Sequence, residues 1–246
     1  MGVSFLIALI YLASAGVLFL TAGMILKENV RAGNNRVVAA MLFFAGLGPF
    51  SVAIHKTVLA EVTGLSPSII NLFYIWEMFF PLLLLFSVIF PVPLPFYQKH
   101  KRLLQLAFIP HLFHLLLVVF LNDPDKIITL LDFDTSTPIF GPALGFIASL
   151  LKVVTAIMGF MMLFHTKFFS LVNFAYVGAS VYFLNLGYKN ITNPALKSQV
   201  RIVIWGIVVA IGLYVGSFII PSILSFRFPP GIREIIILTA LIVGPG

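Results

Sequence analysis

The chain has no cysteine and few charges. Without a thiol there is no disulfide scaffold, no thiolate-bound metal, no iron–sulfur ligation and no cysteine nucleophile. Charged residues fill 9% of the 246 positions and hydrophobic residues 61%, where a soluble domain has ~25% and ~45–50%. That balance excludes a soluble globular domain. Acids are the scarcer charge, 8 against 15 Lys and Arg, for a net charge of +7. The excess is not a nucleic-acid footprint. The bases sit in small groups between apolar runs, where membrane proteins carry their orientation signals.

Catalytic motifs are missing too. There is no phosphate loop, no HExxH, no serine nucleophile elbow and no carboxylate set able to hold a metal. The expectation is a chain that is not itself an enzyme and carries no cofactor or metal. Haem needs two facing axial ligands; His55 and His165 fall at span ends, and His111 and His114 share one helix. A retinal protein needs a lysine deep in its last helix, and residues 235–246 have none. Lys152 reads as a snorkelling lysine.

What is present is long apolar sequence. A mean hydropathy of +1.12 with 26 Phe and 18 Gly predicts an all-α, polytopic membrane helix bundle. Residues 3–26, 37–54, 67–90, 103–121, 169–186 and 202–224 are each long and apolar enough to cross, and only 67–90 carries a charge, Glu77. Residues 3–26 lack a basic leader and read as an uncleaved span. Residues 235–246 are apolar but rise only ~18 Å as a helix, against a hydrocarbon core of ~30 Å. The expectation is one transmembrane domain over 1–246 whose seventh helix continues beyond Gly246.

Residues 140–164 are ambiguous, being long enough to span but with Lys152 in the middle. Loop charges bear on them. Residues 27–36 carry +2, 99–102 carry +3, 189–201 carry +3 and the segment 122–139 carries −3. If 140–164 does not cross, all three basic loops share one side, as the positive-inside rule favours. This predicts seven crossings, the N-terminus outside, and 140–164 as an interfacial or re-entrant helix. Eight crossings remain the alternative.

Three groups of residues are candidates for function. Glu77 falls near the bilayer midplane, and the next helix returns with His114 at similar depth and His111 one turn away. Either they form a proton-sensitive cluster that biases helix packing, or Glu77 is protonated and bonded to backbone beside a neutral His114. The acidic loop, with Asp123, Asp125, Asp132 and Asp134, is a cation or ligand site or simply a solvated outer face; it lacks the Gly and distal Glu of a calcium loop. Gly212 and Gly216 make a GxxxG match, read as close packing in the bundle or between two copies.

Three stretches carry a family resemblance. Residues 23–47, GMILKENVRAGNNRVVAAMLFFAGL, lead one span through a basic Asn-containing turn into the next. Residues 76–91, WEMFFPLLLLFSVIFP, precede a basic loop and another helix. Residues 165–206 contain Asn193-Pro194, Lys197, Gln199-Val200-Arg201 and Trp205-Gly206. In these the chain resembles the N-terminal seven-transmembrane sensor region of bacterial histidine kinases and related signalling proteins. The resemblance implies a sensory, signal-transducing module of a two-component system in the bacterial inner membrane. It places the turn near residue 190 in the cytoplasm and the kinase-type output after the last span, and it transfers no binding residue. The expected partners are the lipid bilayer, an unknown small ligand and a second copy or larger membrane complex, with no nucleic acid. A structural or assembly subunit is the alternative, and a small-molecule transporter or channel the third reading.

Overall fold

The computed structural model describes residues 2–57, 70–121, 127–129, 141–226, 228–229 and 236; among them the structure is helical, with no strand. Six helices are long and apolar enough to cross a membrane: Phe5–Glu28, Gly33–Thr57, Leu72–Ile89, Lys101–Phe120, Gly141–Lys189 and Pro194–Leu224. The seventh run, 235–246, lies outside the described residues except for Ile236, as do Asp123, Asp125, Asp132 and Asp134 of the acidic loop.

Helices α1 (Gly2–Glu28) and α2 (Gly33–Thr57) form a hairpin. The turn is closed by Asn29, whose side-chain oxygen accepts from the backbone N–H of Arg31 and of Ala32, both at 3.1 Å. Asn35 then donates back to the Ile25 carbonyl at the end of α1 (3.1 Å). The face of α1 turned inward is Ala8, Tyr11, Ala15, Leu18 and Ala22, three and four residues apart. Small residues there let the backbones approach. Gly46 on α2 belongs to the same contact, since a Cβ would meet the Phe19 ring at 2.6 Å.

The third span begins irregularly. A 3₁₀ segment, Leu72–Met78, runs into α3 (Phe79–Ile89). Pro81 supplies a reason: in a continuous α-helix its ring would press on the Glu77 carbonyl and leave that oxygen without a donor. Helix α3 is the most enclosed element, burying Phe80, Pro81, Leu82, Leu83, Phe86, Ser87, Val88 and Ile89. In lipid, burial does not remove these side chains from water, so the gain comes from close packing.

After α4 (Pro95–Lys99) and α5 (Lys101–Leu106), the fourth span pauses at residues 107–108 and resumes as α6 (Ile109–Phe120). Pro110 again stands at the irregularity, and the Tyr176 hydroxyl donates to the Ala107 carbonyl (2.6 Å). That bond answers the rule that backbone freed inside a membrane must find a partner.

Helix α7 (Gly141–Lys189) differs from the sequence expectation. The predicted interfacial helix over 140–164 and the span over 169–186 are one uninterrupted helix of 49 residues, with no reversal between them. At ~1.5 Å per residue it is ~73 Å long, more than twice a hydrocarbon core of ~30 Å. The expected separation rested on the loop charges and on Lys152 in mid-run. Neither interrupts a backbone, and the junction at residues 165–168 has neither Gly nor Pro to do so.

Helix α8 (Pro194–Tyr214) starts at Asn193, whose side chain accepts from the N–H of Ala195 (3.0 Å) and Leu196 (3.3 Å). It widens into a π-helical turn, Val215–Ile219, and ends as α9 (Ile220–Leu224). Pro221 stands to the Ser217 carbonyl as Pro81 does to that of Glu77, and the wider turn accommodates it.

Candidate functional site

A cavity of about 720 Å³ opens among α1, α2, the 3₁₀ segment, α7 and α8. Helices α2 and α8 both line it and make few contacts with each other. Its walls are mostly apolar and aromatic, with Phe73, Trp76, Phe79, Phe80, Tyr214 and Phe218 among them. The polar side chains that reach it include Glu77, His114, His165, Ser170 and Asn173. Few polar groups converging in an apolar cavity of this size is the usual make-up of a small-molecule site, where volumes run ~300–1,000 Å³.

Glu77 and His114 meet directly, with His114 Nδ1 2.5 Å from Glu77 Oε2 and both side chains buried. The 3₁₀ segment presents the carboxylate and α6 the imidazole. The His114 ring is clamped: it stacks on Phe169 with centroids 3.8 Å apart and planes 10° apart, while Tyr74 meets it edge-on at 5.2 Å. Its other nitrogen, Nε2, is buried and has no hydrogen-bond partner among the described residues.

His111 is drawn elsewhere. Its Nε2–H donates to the Asn173 side-chain oxygen (2.8 Å), and its ring lies between Phe80, stacked at 5.9 Å, and the edge of Tyr176 at 4.9 Å. Of the three residues grouped by depth, Glu77 and His114 form the pair and His111 ties α6 to α7. His165, which sequence reasoning left at a span end, lies on the cavity wall with its ring 5.5 Å from that of His114. It donates from Nδ1 to the Met162 carbonyl (2.5 Å), while the Thr166 hydroxyl lies 3.2 Å from its Nε2. Ser170 donates to the Ser222 hydroxyl (3.0 Å), joining α7 to α9.

Gly212 and Gly216 do not make the close approach their spacing suggested. A Cβ at either would meet nothing within 4 Å, and Gly216 sits in the π turn, which moves it off the regular four-residue register. Tight packing falls instead at Gly46 and at Gly187, where a Cβ would lie 3.2 Å from the Phe90 carbonyl oxygen. Among the described residues no group of three His, Cys, Asp or Glu is placed to hold a metal ion.

Sequence reasoning missed two features of the cavity. Its irregular walls, the 3₁₀ turn bearing Tyr74, Trp76 and Glu77 and the π turn that follows Tyr214 and bears Phe218, were announced by Pro81 and Pro221 inside apolar runs. Irregular turns of these kinds recur at functional sites. The α7 wall was announced by Ser170, Asn173 and Val177, at three–four spacing in a lipid-soluble helix, the cavity end of a buried seam that continues through Ser180, Leu184 and Gly187.

Fold and site define an all-helical bundle, apolar enough to be a multi-pass membrane protein, with a polar-lined cavity among its helices. No family model, curated protein or solved structure matches the chain.

Proposed function

We propose that the chain is a membrane-embedded sensory module in which occupation of the cavity shifts helix packing. The observation that carries this reading is the Glu77–His114 pair on the wall of a cavity bounded by two irregular helical turns. A ligand touching both α2 and α8 stabilises the arrangement in which they are drawn together, and only such unequal binding moves an equilibrium. In this reading the chain crosses a bacterial inner membrane seven times from an outer N-terminus, and it passes the shift to a cytoplasmic output of histidine-kinase type. The resemblance and the loop charges support those finer points. A reporter fused at Asn190 responds as cytoplasmic if the orientation is right.

The absence of native cysteine makes the test clean. With Phe43→Cys on α2 and Val209→Cys on α8, both at exposed positions, spin labels report the α2–α8 distance in nanodiscs. The distance distribution is expected to respond to pH through the proton shared by the pair, and Glu77→Gln is expected to abolish the response. A distribution indifferent to pH and to that substitution overturns the role of the pair.

One observation favours a second reading, an assembly subunit of a larger membrane complex: α7, at 49 residues, is longer than one crossing needs, so part of its apolar face has no bilayer to cover it if the helix stands upright. The first half of α7 exposes Phe146, Leu150, Val153, Ile157, Phe160 and Leu163. A single protein copy per nanodisc, with no partner retained in mild detergent, counts against it. Transport, the third reading, predicts small-solute flux into proteoliposomes, and a measured absence of flux would overturn it.

A further inference from the structure

We infer that the cavity receives the ring of a membrane quinone, with one ring oxygen hydrogen-bonded to His114 Nε2. The inference deepens the sensory reading and rests on it for the consequence of binding, though not for binding itself.

Three properties of the site select this chemistry. The first is charge. Glu77 is buried and engaged by His114, so its carboxylate is not free to hold a cation, and an anion placed against the pair would meet a carboxylate. The ligand group that meets the pair is therefore uncharged; the other titratable side chains on the wall are His55 and Lys56 of α2 and His165 of α7. The second is shape. Trp76 lies 5.7 Å from Phe80 and 5.9 Å from Tyr214, and Tyr214 stacks on Phe218 at 5.4 Å; flat rings of this kind accept a flat conjugated ring in offset or edge contacts. The third is access. Helices α2 and α8 line the cavity with few contacts between them, and their outer surfaces carry exposed Phe43, Val203 and Val209. A ligand with an apolar tail enters sideways from the lipid and leaves its tail there.

The hydrogen bond narrows the choice further. His114 Nδ1 faces Glu77, so the buried, unpartnered Nε2 is the nitrogen left for a ligand, which reaches it when the side chains covering it shift aside, and its role follows the protons on the pair. With one proton, held between Nδ1 and the carboxylate, Nε2 offers a lone pair and accepts from a hydroxyl. With two, the second proton is on Nε2, which donates to a carbonyl. A quinone presents the carbonyl and its quinol the hydroxyl, so one site takes both forms with protonation states differing by one proton. A saturated lipid alcohol offers only the hydroxyl and no flat ring.

The test uses the intact chain in nanodiscs of synthetic phosphatidylethanolamine and phosphatidylglycerol, which carry no quinone. Trp76 is on the cavity wall and Trp205 is exposed on α8, so Trp205→Phe leaves Trp76 as reporter and Trp76→Phe leaves an outside control. Added decylubiquinone is expected to quench Trp76 saturably, while Trp205 shows only the linear loss expected of collisions in the bilayer. His114→Gln and His114→Phe are expected to weaken the saturable phase by about tenfold or more; decanol does not compete. In the unsubstituted protein, a photoreactive azidoquinone is expected to label peptides bearing Trp76, His114 or Tyr214, which keeps the test valid if a variant fails to fold. Linear quenching of both tryptophans, saturation indifferent to His114, or labelling confined to the lipid-facing half of α7 overturns the inference. Saturable binding with no change in the α2–α8 spin-label distance supports the quinone site and overturns the sensory reading. A pH-dependent distance change without quinone binding does the reverse.

Discussion

Residues 141–164 and 169–189 belong to one helix and are similarly rich in apolar side chains, but they are treated differently by the fold. The first stretch buries one residue in eight, Gly141, Ala148 and Thr155. The second buries one in three along a continuous seam, Phe169, Ser170, Asn173, Val177, Ser180, Leu184 and Gly187. The large apolar residues of the first stretch mostly face outward; Leu163 is 77% exposed, whereas Leu184 on the seam is fully buried. In water the more apolar face would be the inner one. In lipid, apolarity only makes a surface soluble, and small or hydrogen-bonding residues are what mark contact with protein.

Five substitutions probe that difference. Leu184→Ala opens a cavity at the centre of the seam and is expected to cost ~2–5 kcal/mol in SDS-induced unfolding from bicelles; a loss under ~1 kcal/mol means that the site collapses or that the seam is not tightly packed. Gly187→Leu forces α7 away from the Phe90 carbonyl, with an expected loss of ~1–3 kcal/mol. The same change at Gly178, where a Cβ meets nothing within 4 Å, is expected to be harmless. Tyr176→Phe strips the Ala107 carbonyl of its donor and is expected to cost ~0.6–1.7 kcal/mol, the range for hydrogen bonds between membrane helices. Hydrogen exchange at the α5–α6 break should rise with it. Leu163→Ala, in the outward-facing stretch, is expected to stay within ~0.5 kcal/mol. Equal losses at 163 and 184 would show that the first stretch of α7 is also packed against protein.

The sequence was informative where a membrane imposes length. Five of the six helices now seen follow the long apolar runs, because lipid forbids any other way of satisfying the backbone. The 49-residue helix escaped because the loop charges spoke for a separate interfacial or re-entrant helix over 140–164, and loop charge bears on side, not on where a helix breaks. At the site, equal depth on consecutive helices brought Glu77 and His114 under suspicion, and rightly put His114 beside the carboxylate. Depth says nothing about rotation, however. His111, three residues from His114 and so displaced around the helix, points to Asn173 instead. Gly212 and Gly216 make no close approach within the chain, and the four-residue spacing assumes a regular helix that the π turn before Pro221 interrupts; packing between two copies is the other reading of the pair.

Helix α1 packs chiefly on α2, its neighbour in the chain across a four-residue turn. That hairpin is complete once residue 57 has entered the bilayer, and its contacts wait for nothing downstream. The seam between α3 and α7 joins residues about a hundred positions apart, such as Phe90 and Gly187, so it closes only after most of the chain has been inserted. The molecule is thus ordered in time as well as in space. An early, local hairpin supplies the α1 and α2 wall, and the late, long-range closure of α3, α7 and α8 against it creates the cavity.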